Sequence, residues 1–136
     1  MAKREAKKII TVEEVIAIHD KLIKKYGGEK GILNYGVLDF AVSWVNDHPR
    51  KSIFWKCAIL LRDIVSGHPF VDGNKRTGFN IVITLLRTKN YRLEVSREEA
   101  IRFLIELADK GKSIDEIIIW LKKHSKKYEK KSKSKK

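Results

Sequence analysis

Residues His68–Gly78 read HPFVDGNKRTG, which puts a base, a carboxylate, a glycine turn, an amide and two cations into eleven positions. Together these can hold a phosphate chain and deprotonate a group beside it. Imidazole is the side chain whose charge changes near neutral pH, which suits His68 to general-base work. Asp72 can hold a hard cation such as Mg²⁺ between phosphate oxygens. Asp72-Gly73-Asn74 is a turn sequence leading into a helix. The first backbone N–H groups of a helix have no partner within it and carry the positive end of its dipole, so they form an anion site. Gly73 lets the backbone approach a phosphate closely. Lys75 and Arg76 add charge at the same end, where cations oppose the dipole unless an anion is bound. Phe70 and Val71 read as anchors that fix the loop to the core.

Each residue also has a plain structural role. Asp72 alone suits a helix N-terminus, Asn74 suits a cap, and Lys75 with Arg76 suits a solvated face. Thr77 and Gly78 read as helix-interior residues, with Gly78 permitting close helix contact. It is their joint occurrence that points to polyphosphate chemistry. Two other nucleotide motifs do not fit. A P-loop needs GxxxxGK followed by Ser or Thr. Here Gly67 and Gly73 are one residue too far apart, Asn74 intervenes, and Arg76 follows Lys75. A protein kinase of the usual kind needs several distant motifs and a much longer chain.

The loop must be held by its neighbours, and the helix starts among them are legible. Thr11-Val12-Glu13-Glu14, Ser96-Arg97-Glu98-Glu99 and Ser113-Ile114-Asp115-Glu116 each fit a capping box. After Thr11, apolar residues recur on one helix face up to Tyr26, and Gly27-Gly28 stops the run. His19 falls on that face and reads as a hydrogen-bonded structural histidine. Glu29–Tyr35 reads as an irregular loop, and 36–47 as a short helix. Lys51–Ser66 predicts a strong helix, so His68 should sit just past a helix C-terminus, with Pro69 biasing it away from helical angles. The segment 74–89 is apolar on several sides, which predicts a central helix. Tyr91–Glu94 reads as a short extended link, and helices are expected over 97–110 and 114–124.

Bulk properties bound the class. A chain of 136 residues with 43% hydrophobic content makes one globular domain with a real core. The single cysteine, Cys57, excludes an internal disulfide framework and reads as a buried thiol. One cysteine and four scattered histidines do not make a structural zinc site. No apolar run is long enough to span a membrane, and the charged start has no hydrophobic segment behind it, so a cytoplasmic protein without membrane contact is expected. The net charge of +13 is concentrated at one end, because residues 122–136 hold nine lysines and one acid, Glu129. Such a run reads as a solvated, disordered tail, giving at most non-specific, salt-sensitive contact with nucleic acid. The expected division is a basic N-terminal extension over 1–10, a domain over 11–124 and a Lys-rich disordered tail over 125–136.

HPFVDGNKRTG resembles the signature of the Fic/Doc family, HxFx(D/E)(G/A)N followed by basic residues. Ile10-Thr11-Val12-Glu13-Glu14-Val15, Ile18-His19-Asp20, Gly36-Val37-Leu38 with Ala41, and Asn90-Tyr91-Arg92-Leu93 resemble its Doc-like, death-on-curing toxin branch. The resemblance runs from Ile10 to Leu121 and implies an all-α Fic-fold helical bundle with the active-site loop between two central helices. Family members transfer part of a nucleotide, most often AMP, to a hydroxyl of a target protein. The resemblance therefore implies that His68 is the catalytic base and Asp72 the Mg²⁺ ligand. It implies that Gly73 and Asn74 form the anion hole, that Lys75 and Arg76 hold phosphates, and that ATP is the donor. AMP-transferring members commonly read GNGRxxR. Here Lys75 replaces the middle glycine and Phe79 stands where the second arginine would be. That departure resembles Doc toxins, which phosphorylate a translation elongation GTPase. Phosphate transfer to such a target is the expectation, with AMP or other nucleotidyl transfer as the alternative. An inactive binding module whose basic tail attracts nucleic acid is a third reading. The inhibitory (S/T)xxxE(G/N) helix of many Fic proteins has no match, the nearest being Ser125–Lys130, so a separate antitoxin is the implied partner.

Overall fold

Apolar residues at three- and four-residue spacing fold as helices. In a computed structural model, which describes residues 8–129, these are α1 (Val12–Tyr26), α2 (Tyr35–Asn46), α3 (Ile53–Gly67), α4 (Asn74–Arg87), α5 (Arg97–Lys110) and α6 (Ile114–Lys123). The side chains of Thr11, Asn34, Ser52, Ser96 and Ser113 accept backbone N–H groups at the starts of five of the six. Full capping boxes form at Thr11 with Glu14 and at Ser113 with Glu116. At Ser96 only the hydroxyl half is present, accepting from the Glu99 N–H at 3.1 Å.

Helix α3 is the centre of the bundle. Nine of its residues are buried, and it packs on α2, α4, α5 and α6. The segment expected to be central, α4, lies directly against it. A Cβ built on Gly78 would stand 3.1 Å from Val65 and 3.2 Å from Leu61, so the absent side chain is what lets α3 and α4 approach. Burial pushes the Cys57 thiol up to about 12. Lys56 is also buried. Its Nζ donates to the Pro49 carbonyl at 3.0 Å, and burial, with Lys89 adding to it, holds its pKa below the ordinary lysine value.

Three stretches differ from the sequence reading. The link at Tyr91–Leu93 is a strand, β1, and Ser125–Lys127 forms β2 antiparallel to it, with Tyr91 opposite Lys127. The segment assigned to a disordered tail from 125 thus starts as an edge strand. Bonds from Glu94 N to His124 O and from Tyr128 N to Asn90 O close both ends of the pair. The remainder of that tail, 130–136, lies outside the described residues. At the other end, Ile10 is buried, and the Asn46 amide clamps the backbone of Ile9 and Ile10, so these two belong to the bundle and not to an extension. Residues 1–7 of that extension lie outside the described residues. Among the described residues, no helix is long and apolar enough to cross a membrane.

Candidate active site

The HPFVDGNKRTG segment is the connection between the two packed helices α3 and α4. Pro69 after His68 disfavours the right-handed helical region, which ends α3 at Gly67. His68 then takes a left-handed conformation, φ 48°, ψ 57°, with its side chain exposed. That region costs a non-glycine residue about 1 kcal/mol or more and persists only where neighbours enforce it.

The neighbours are visible. The Pro69 carbonyl accepts from the N–H groups of Leu33 (2.7 Å) and Asn34 (3.0 Å), while Val71 N donates to Gly31 O at 3.0 Å. The loop before α2 therefore runs antiparallel beside the residues following His68, with Ile32 paired to Phe70. The Phe70 ring is 1% exposed and stacks on His19 at 3.7 Å between centroids. The Asn74 side chain is buried, and its Oδ1 accepts from Phe70 N at 3.0 Å while its Nδ2 donates to Phe70 O at 2.9 Å. That amide staples the loop shut with one of its two N–H donors. The Asn74 backbone N–H is a further donor at the start of α4.

Helix α4 is the one helix of the six with no side-chain cap. Its N-cap is Gly73, at φ 79°, ψ 17°. The first helical bond runs from Thr77 N to Gly73 O, which leaves the N–H groups of Asn74, Lys75 and Arg76 without a partner inside the helix. The first turn holds no acid, and Lys75 and Arg76 are exposed there. The Arg76 guanidinium lies 4.2 Å from the centroid of the Tyr26 ring, a cation–π contact that orients it. Uncapped donors and unneutralised cations at one point are the electrostatics of an anion site.

Asp72 flanks this end with its carboxylate exposed. Oδ1 accepts from Gly73 N at 2.9 Å and Oδ2 from Glu29 N at 3.2 Å. Each oxygen keeps lone-pair capacity for a cation. Among the described residues, no group of three His, Cys, Asp or Glu side chains is arranged to hold a metal. A metal at Asp72 would thus be one that takes a single carboxylate and completes its shell with substrate phosphates and water, which describes Mg²⁺.

A groove of about 860 Å³ opens from this point. Asp72–Arg76 lie at one end, and it continues over Tyr26, Phe79 and Ile83 towards β1 and α5. It is large enough for a nucleotide. The exposed His68, the Asp72 carboxylate and the uncapped start of α4 thus belong to one loop, and the groove opens from its Asp72–Arg76 part.

Residues 9–86 match the Fic/DOC family. The chain is 33% identical over 103 residues to "Toxin Doc" of Mycolicibacterium smegmatis, covering 68% of this chain and 76% of that protein. It is also 33% identical over 95 residues to "Protein kinase doc" of Escherichia phage P1, covering 67% of this chain and 75% of that protein.

The chain belongs to the Fic/DOC family. Its helical bundle is the Fic fold, and the family match spans α1 to α4, the elements that build and brace the loop. Within this Fic/DOC protein, His68, Asp72, Gly73, Lys75 and Arg76 all lie on the exposed side of the loop or line the groove, while Phe70 and the Asn74 side chain face inwards. Phe79, in place of the second arginine of AMP-transferring members, contributes an apolar wall to the groove.

Sequence reasoning did not find the contributions of α1 and the loop after it. Tyr26 under Arg76, and the Glu29 N–H on Asp72, come from residues more than forty positions away from their partners, with no motif to mark them. A built Cβ on Gly28 would stand 2.7 Å from Asp72 Oδ2, so the second glycine after α1 is also the space into which Asp72 fits. The Gly27-Gly28 pair carried a signal, but one that reads simply as a helix stop.

Proposed function

We propose that this protein is a Doc-like toxin that transfers the γ-phosphate of ATP, with Mg²⁺, to a hydroxyl of a target protein such as a translation elongation GTPase in the cytoplasm. The observation that carries the reading is the uncapped, doubly cationic start of α4 beside an exposed His68. The relatives named Toxin Doc and Protein kinase doc support the toxin and kinase parts of it. Phe79 supports phosphate over AMP transfer. Without a second arginine in the first turns of α4, the cations of that segment are Lys75 and Arg76 alone, which alters how the nucleotide lies and which phosphorus meets the hydroxyl.

In this reading the backbone N–H groups of Gly73, Asn74 and Lys75, with the Lys75 and Arg76 side chains, neutralise and orient the phosphates. Positioning and charge neutralisation of this kind carry most of phosphoryl transfer. Asp72 would hold Mg²⁺, which would supply further charge neutralisation to the phosphates. His68 takes the proton of the target hydroxyl. The hydroxyl oxygen then bonds to the γ-phosphorus, the bond from that phosphorus to the bridging oxygen breaks, and ADP leaves. The edge Gly31–Asn34, fixed beside the loop through Pro69 and Val71, is where a target segment would approach. Inhibition is assigned to a separate antitoxin. Ser125, the start of the nearest approach to an internal inhibitory motif, is held in β2.

Induced expression in a bacterial host tests the toxin reading. Wild-type protein should arrest growth and His68→Ala should not. Arrest by both would remove His68 chemistry from the function.

A further inference from the structure

His19 is 1% exposed and makes two contacts with the motif loop, across more than fifty residues of sequence. Its ring stacks on Phe70 at an interplanar angle of 5°. Its Nε2 lies 2.7 Å from the Asp72 carbonyl oxygen, which can only accept, so Nε2 donates. A Cβ built on Gly73 would stand 3.6 Å from its Cδ2 and Nε2. On its other side Nδ1 faces the Asp20 carboxylate at 3.1 Å, which fixes the ring orientation.

The consequence lies in the Asp72–Gly73 peptide. In a trans peptide the C=O and N–H point in opposite directions. With the Asp72 oxygen drawn inwards to His19, the Gly73 N–H must point outwards, towards the Asp72 carboxylate and the anion side of the loop. Gly73 has no Cβ and takes either sign of φ at little cost, so its own chemistry does not choose between this peptide orientation and the flipped one. A flipped peptide would turn a carbonyl oxygen to the place where a phosphate is to bind. An inward-facing donor is the device that makes the choice, and His19 is that donor.

We propose that His19, oriented by Asp20, is a positioning residue that locks the Asp72–Gly73 peptide so that the Gly73 N–H faces the anion site. The effect on nucleotide binding rests on the phosphate-transfer reading above, whereas the lock itself does not. His19→Phe keeps a ring to stack on Phe70 and removes both nitrogens. Asp20→Asn keeps a hydrogen-bonding partner beside Nδ1, and Asp20→Ala removes it at a half-exposed position, without touching the core.

The test records the ¹⁵N–¹H signal of Gly73 in the full chain, and MgATP binding by calorimetry, for wild type and the three variants. His19→Phe should move the Gly73 signal and weaken MgATP about tenfold, the effect of one lost hydrogen bond to an anion. Asp20→Ala should shift the signal in the same direction and Asp20→Asn should leave it near wild type. A Gly73 signal unmoved in His19→Phe, or in Asp20→Ala should His19→Phe not fold, overturns the proposal. So does a moved signal with wild-type MgATP affinity, since the lock would then not serve the anion site. If wild-type protein binds no MgATP, the phosphate-transfer reading fails, and the Gly73 signal alone still decides the lock.

Discussion

His68 holds a left-handed conformation that its own side chain disfavours, beside backbone bonds from the loop before α2 and apart from the uncapped start of α4. Base and phosphate ligands should therefore separate cleanly on mutation. His68→Ala should lower transfer by about 10²–10⁴-fold, the range for a general base, while leaving MgATP affinity near wild type by calorimetry. A collapse of affinity instead would make His68 a nucleotide ligand. Arg76→Ala should weaken MgATP about tenfold or more, as expected for a lost charge-assisted contact, and unchanged affinity would remove Arg76 from the phosphates. At this scale the sequence was most legible where a residue's place follows from its immediate neighbours, as with His68 just past the end of α3 and Lys75 and Arg76 exposed at the start of α4. It was least legible where a partner far along the chain decides the role. Asn74 has the composition of an anion-hole amide, yet both ends of its side chain are bonded to Phe70.

Elements explain why the loop is rigid. Helices α3 and α4 close on each other at Gly78, and the loop before α2 is stitched to Pro69 and Val71. Gly28 belongs to this brace. It sits at φ +121°, and a Cβ there would meet Asp72 Oδ2 at 2.7 Å. Gly28→Ala should cost about 1–3 kcal/mol in chemical denaturation and should lower transfer by displacing Asp72. A stable, fully active variant would contradict the brace. Helix starts were readable because a cap is a local device: one hydroxyl or amide and the next three residues decide it. Ser113→Ala should accordingly cost about 1 kcal/mol with no change in MgATP affinity. The exception to the capping pattern, α4, differs from the sequence reading of Asn74 as a cap: the N-cap is Gly73, which has no side chain, and the Asn74 side chain is bonded to Phe70. Strand β2 was not legible. Ser125-Lys126-Lys127 has the composition of a solvated run, and only its pairing with Tyr91–Leu93 makes it a strand.

At the scale of the molecule, the basic excess and the folded bundle overlap at β2. Removing residues 125–136 should destabilise the protein by on the order of 1–3 kcal/mol, because the pairing with β1 and the flanking bond from Tyr128 N to Asn90 O are lost. Removing 130–136 alone should spare stability, and equal losses for both truncations would contradict this. The core makes its own pH prediction. Burial raises the Cys57 thiol from 9.0 to about 12, so between those values the folded chain keeps a proton that the unfolded chain has released. The folded state binds more protons there, and stability must fall as pH rises through that window. Cys57→Ala should flatten that part of the stability profile, measured by denaturant midpoint against pH. An unchanged slope would place the ionisation elsewhere. The all-helical architecture was legible at this scale because periodicity and caps agree along almost the whole chain. The identity of the most central helix was not, because α3 and α4 are both apolar on several sides and only packing decides between them.

The central claim is that His68 directs a hydroxyl at the γ-phosphorus of ATP. The direct measurement incubates purified protein, beside His68→Ala, with bacterial extract, Mg²⁺ and ATP labelled in parallel at the α or the γ phosphate. The account predicts label on a protein band from the γ position only, absent with His68→Ala. Label from the α position would contradict it and make the protein a nucleotidyl transferase.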